Sequence, residues 1–215
     1  MAIIPGKEKV FMVDKRTNTT YGGSQALQDM QQWYTMKDIS DSVAAFAPYK
    51  VFTALLTQSG DDTQQDKVSG DTLDLGVTYL ISVNSEDSDL TIFGAPNSNE
   101  GTYFICTNAG VLDPYKPLSL LYYTGTPVAT VLENTIGNIW FTYDSEGSYT
   151  ANSIGLFLLN KTTTSTSTSS DPGNPTWTTA RIGNENAVSI NSFYPNGDGA
   201  NNSMVQMFFE IRVYN

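Results

Sequence analysis

Histidine is absent from this chain of 215 residues. That removes Ser-His-Asp and Cys-His catalysis and most zinc sites, since no other unperturbed side chain changes protonation near neutral pH and binds zinc as readily. Cysteine occurs once, as Cys106, so no internal disulfide can form. Its setting, Thr102-Tyr-Phe-Ile-Cys-Thr107, reads as a buried strand, and with no histidine to activate it the thiol is structural. No apolar run approaches the ~18 residues that span a bilayer, so no membrane insertion is expected. The start, Met-Ala-Ile-Ile-Pro-Gly-Lys, lacks the apolar core of a signal peptide, which predicts synthesis in a cytoplasm and use without Sec-type export. Neither common glycine-rich phosphate loop is present, and no cofactor is expected.

Positive charge is also scarce. Eleven Lys and Arg stand against 22 Asp and Glu, a net charge of −11. The imbalance is uneven: residues 1–50 carry six basic and five acidic side chains, residues 51–215 five and seventeen. An acidic body repels phosphate backbones, which argues against nucleic-acid binding. The near-neutral first fifth is suited to lie against another protein, while the acidity elsewhere keeps the chain soluble.

What the chain has in quantity is β pattern. Met207, Phe209, Ile211 and Val213 alternate with Phe208, Glu210, Arg212 and Tyr214, the period of a half-buried strand. Further strands are predicted at 51–56, 76–83, 90–93, 103–106, 118–123, 128–132, 139–143, 154–159, 177–182 and 188–193, with turn clusters between them. No helical pattern separates these runs, which excludes a parallel βαβ fold. The expected fold class is mainly β: an antiparallel β-sandwich or jelly-roll-like body over residues 49–215. Residues 1–48 read differently, as a short strand near 9–13 and one or two helices. Ser24 is placed to cap the first helix; Leu27, Met30 and Tyr34 follow at helical spacing with Trp33 beside them. These four residues are the candidate partner-docking positions. Thr162 to Ser170 is nine consecutive Ser and Thr residues followed by Asp171-Pro-Gly-Asn-Pro175, and is expected to be a surface excursion with nothing to bury.

Candidate chemistry is thin. Carboxylate pairs such as Asp61-Asp62 and Glu86-Asp87 lie in loops and make poor general acids. Asn196, Asp198 and Asn201 alternate in a Gly-rich turn that offers hard oxygen ligands, but without the spacing of a calcium loop, so a plain polar turn is favoured. Tyr122, Tyr123, Trp140, Tyr143, Trp177 and Tyr194 are available to stack on sugar rings, although strand aromatics read first as core.

Several segments resemble virion surface proteins of tailed bacteriophages, especially crAss-like and other Bacteroidetes phages. They are Tyr49-Lys-Val-Phe-Thr-Ala-Leu-Leu-Thr-Gln-Ser-Gly60, Thr126-Pro-Val-Ala-Thr-Val-Leu-Glu-Asn-Thr-Ile-Gly137, Gly137-Asn-Ile-Trp-Phe-Thr-Tyr-Asp-Ser-Glu-Gly-Ser-Tyr149, the ending Glu210-Ile-Arg-Val-Tyr214, and Tyr21-Gly-Gly-Ser-Gln-Ala-Leu-Gln-Asp-Met-Gln-Gln-Trp33. In those proteins the first two segments often follow one another directly; here residues 61–125 lie between them, as an inserted β subdomain would. The resemblance implies a non-enzymatic virion part, a head fibre or capsid decoration subunit, trimeric, and docked on capsid or other virion proteins. Residues 1–48 would be the anchor and 49–215 the outward domain. The rival readings are a receptor-binding module that grips host-surface glycans through 162–175 or 194–202, and a depolymerase fragment.

Overall fold

The computed structural model describes residues 13–14, 19–20, 48–167 and 176–215. The chain divides into two compact units, Met1–Pro48 and Tyr49–Asn215. In the first, β1 (Val13–Asp14) pairs antiparallel with β2 (Thr19–Thr20). The one or two helices expected within residues 1–48 lie outside the described residues.

The second unit is mainly antiparallel β, with two packed sheets at its centre. One sheet has the order β10-β3-β16-β13, built from β3 (Tyr49–Thr57), β10 (Val128–Asn134), β13 (Thr162–Thr166) and β16 (Met207–Tyr214). The other has the order β11-β12-β15-β14, from β11 (Trp140–Ser145), β12 (Ser148–Asn152), β14 (Trp177–Asn184) and β15 (Ala187–Phe193). Alternation decides which side chains meet between them. Phe52, Ala54 and Leu56 point inward from β3; Met207, Phe209, Ile211 and Val213 from β16; Tyr149, Ala151, Val188 and Ile190 from the facing sheet. Three rings form the centre, with Phe141 lying 6.1 Å from Phe52 and 5.9 Å from Phe209. The small side chains Ala54, Ala129 and Ala151 leave room for them.

The last strand is central, held by β3 on one side and β13 on the other. Its outward residues make a local charge contact: Arg212 Nε lies 2.8 Å from Glu210 Oε1, and the guanidinium covers the Tyr49 ring at 4.8 Å.

A second core sits in residues 61–125. There β4 (Gln64–Val68), β6 (Thr78–Asn84), β7 (Tyr103–Ile105) and β9 (Leu118–Tyr123) form a sheet ordered β4-β9-β6-β7, beside a short pair β5 (Thr72–Leu73) and β8 (Gly110–Val111). One face of this sheet buries Tyr79, Ile81, Phe104, Leu118 and Leu120 against Leu73, Leu90, Phe93 and Leu112. Its other face carries Thr78, Leu80, Tyr103 and Leu121.

Three segments differ from expectation. Residues 90–93 are not a strand: Thr91–Phe93 is a 3-10 turn that drives Leu90 and Phe93 into the second core. Asp89 causes it by accepting from the Thr91 hydroxyl at 2.6 Å and the Thr91 amide at 2.9 Å. Those two bonds hold its carboxyl below the usual carboxylate range, the hydroxyl contributing most. Residues 154–159 are a loop, because Gly155 and Asn160 take positive φ (64° and 67°) and only Phe157 is buried. Conversely, Thr162–Thr166 is strand β13, paired with Val213 through Phe209. Its β-branched threonines suit a pleat. Two of its hydroxyls also close this edge of the sandwich, Thr164 donating to Ala180 O at 3.0 Å and Thr166 to Thr178 O at 3.1 Å.

Candidate functional site

The inserted sheet and the sandwich meet at a narrow neck where the chain leaves and returns. Gly125 N donates to Asp61 O, and Thr124 N to Thr63 O at 3.0 Å. A side chain at Gly125 would collide with Asp61 O at 2.6 Å and the Tyr143 ring at 2.7 Å, so glycine is what lets the two crossings close up. Further along, Ala129 N donates to Gly76 O at 2.9 Å, Asn138 Nδ2 to Tyr103 O at 2.9 Å, and Phe141 N to Thr78 Oγ1 at 3.2 Å. Tyr103 stacks flat on Trp140, with centroids 5.7 Å apart and an interplanar angle of 11°.

Between these tethers lies a cleft of about 230 Å³. Leu80 and Leu121, paired across β6 and β9, form part of its lining. Tyr103, Tyr122 and Tyr123 line it from the insert, and Thr142 and Tyr143 from β11. Each ring is held. Tyr122 packs edge-on to the buried Tyr79 at 5.5 Å, and the Tyr123 hydroxyl donates to Gln64 Oε1 at 3.0 Å. The Tyr143 hydroxyl accepts from Asn201 Nδ2 at 3.1 Å. Asp62 completes the lining, and its carboxylate has no hydrogen-bonding or ionic partner among the described residues. The arrangement suits a small ring with one apolar face and a polar edge.

Of the six aromatics singled out for stacking, none is fully buried. Tyr122, Tyr123 and Tyr143 line this cleft, and Trp140 braces it through Tyr103. Trp177 is 59% exposed on β14, and Tyr194 belongs to a different loop. Sequence reasoning missed Tyr103 and Asp62. Tyr103 was legible only as a residue of a strand, and Asp62 only as a loop acid.

The turn Asn196–Asn201 is held by its own side chains. Asn196 Nδ2 donates to Asp198 Oδ2 at 2.6 Å, and the Asp198 amide to Asn196 Oδ1 at 3.1 Å. Asn201 turns inward, where its Oδ1 accepts from Gly147 N at 3.1 Å. The buried Tyr149 hydroxyl shares its proton between that oxygen, at 3.1 Å, and Gln58 Oε1, at 3.0 Å. Among the described residues, no group of three or more His, Cys, Asp or Glu side chains is arranged to hold a metal ion. Cys106 is buried, its thiol donates to Asn108 O at 3.4 Å, and burial pushes its pKa up. Among the described residues, no helix is long and apolar enough to cross a membrane. Leu27, Met30, Trp33 and Tyr34 lie outside the described residues. No known family, curated protein or solved structure matches this chain.

Proposed function

We propose that this chain is a non-enzymatic structural subunit of a phage virion, of the head fibre or capsid decoration kind. In this reading residues 1–48 dock on capsid or other virion proteins, and residues 49–215 face outward, as a homotrimer. One observation carries it. The two segments that are often contiguous in the virion proteins this chain resembles, 49–60 and 126–137, lie side by side as β3 and β10, paired from Thr57↔Val128 to Phe52↔Asn134. Residues 61–125 are built onto the turn of that hairpin. Of the other resembling segments, 137–149 supplies β11 and the start of β12 and 210–214 the end of β16, while 21–33 lies outside the described residues. The described segments that carry the resemblance thus all fall within the sandwich, and the insertion is an addition to it. Shape, solubility and a fixed attachment are what such a part requires, and the charge asymmetry favours attachment through the first fifth of the chain.

The test is a phage whose copy of this protein lacks residues 1–48. The expected particles assemble without the protein, while the truncated chain accumulates folded in the host cell. Particles carrying the usual amount of truncated protein would refute the anchor.

A further inference from the structure

The tyrosine-lined cleft is the feature that an attachment role leaves unused. Its lining combines the aliphatic Leu80 and Leu121 with the aromatic Tyr103 and Tyr123. That combination matches a pyranose, whose C–H groups form an apolar face and whose hydroxyls project around the edge. At about 230 Å³ it is smaller than the ~300–1,000 Å³ of pockets for drug-sized ligands, so it accommodates one ring and leaves the rest of a chain outside. The Asp62 carboxylate, without a partner among the described residues, offers two oxygens to neighbouring hydroxyls, a charge-assisted contact stronger than a neutral one. The body around it is strongly acidic, seventeen Asp and Glu against five Lys and Arg over residues 51–215, which disfavours a ligand that is itself an anion.

Two other features are weaker candidates. The exposed apolar loop with Ile154, Leu158 and Leu159 has nothing on it to say what covers it, and the turn at Asn196–Asn201 spends its polar groups internally.

We propose that the cleft between the inserted sheet and β11 binds one neutral hexose or N-acetylhexosamine residue of a polysaccharide. The sugar's apolar face lies on the Tyr123 and Leu121 side, and vicinal hydroxyls donate to the Asp62 carboxylate. The chemistry rests on the cleft alone; its use in gripping a cell-surface glycan rests on the outward placement of residues 49–215. A single ring in an open cleft binds weakly, with a dissociation constant on the order of millimolar.

Saturation-transfer NMR on the full chain tests it, with the methyl glycosides of glucose, galactose and N-acetylglucosamine as probes and glucuronic and N-acetylneuraminic acids as comparators. At least one neutral glycoside is expected to give a saturable signal, and the acids a weaker one or none. Tyr123→Ala should weaken binding at least tenfold. The isosteric Asp62→Asn, which leaves packing alone, should weaken it by several-fold to tenfold, and Tyr115→Ala, at a side chain 91% exposed and away from the cleft, should leave it unchanged. Binding that survives both cleft substitutions, a preference for the acids, or silence from all three neutral glycosides would each overturn the proposal. Particle incorporation of Tyr123→Ala is scored separately: normal incorporation with lost sugar binding keeps the two readings apart, and a failed sugar assay leaves the anchor test standing.

Discussion

Removing residues 61–125 and joining Gly60 to Thr126 asks whether the insertion is an ornament on a hairpin or part of the framework. The register Thr57↔Val128 leaves a loop of about five residues where about 70 now intervene, and closing the shorter loop is favourable by roughly 2 kcal/mol, at ~0.6 kcal/mol per halving of length. Against this stand the tethers. Three hydrogen bonds, from Ala129 N, Asn138 Nδ2 and Phe141 N, are worth about 1 kcal/mol each. The Tyr103–Trp140 stack adds about 1 kcal/mol, and Ile105, which joins the sandwich core, about 2 kcal/mol more. The balance is a net loss of about 4 kcal/mol. That is less than the stability of most domains, roughly 5–15 kcal/mol, so the sandwich should still fold, with a lower midpoint. Near-ultraviolet circular dichroism and urea unfolding measure this. The expected result is a native-like aromatic signal and one sigmoidal transition displaced to lower urea. A chain with no cooperative transition would refute the reasoning and make the insertion integral to the sandwich.

Two further outcomes follow from individual residues. Gly76 has φ +79°, and a methyl group there would stand 2.5 Å from Ala129 O. Gly76→Ala should therefore cost about 2–3 kcal/mol, from the left-handed backbone and the Gly76–Ala129 hydrogen bond together, whereas Gly101→Ala, at φ +83° with open space around it, should cost only about 1 kcal/mol; thermal melting separates them, and equal shifts would show that the contact with β10 contributes nothing. Burial pushes the phenols of Tyr79 and Tyr149 well above their ordinary range, so both stay neutral in the folded chain while the unfolded chain ionises near pH 10. The stability they protect is whole below about pH 10 and is lost as the pH rises beyond it toward their native values. The urea midpoint should fall across that alkaline window, less steeply in the Tyr79→Phe, Tyr149→Phe double variant, and an identical slope would count against the two phenols.

Much of the fold was legible because alternation is a local property. The alternation at 207–214 fixes an inward face before any partner is known, and it is strand β16; the apolar runs at 51–56, 76–83 and 118–123, bounded by turn residues, overlap β3, β6 and β9. Where the sequence misled, a competing interaction won. Leu90 and Phe93 look like strand residues, but the Asp89 side chain captures the Thr91 amide and hydroxyl and winds the backbone into a turn. The Thr-rich run looks like solvent-loving chain, but hydroxyls at 164 and 166 find carbonyls on β14 that no sequence window contains.

The cleft belongs to that second kind. The chain alone determined that there is no histidine for acid–base chemistry, that the body is acidic and β-rich, and that tyrosine and phenylalanine are plentiful. Only tertiary structure decided that Tyr103, Tyr123 and Tyr143, from three different strands, line one space beside Asp62, which has no partner among the described residues. Periodicity tells which face of a strand is wet or dry; it carries no information about which other strand lies opposite. That depends on long-range pairing, on glycines at 76 and 125 that let backbones touch, and on the register that sets β10 beside β3.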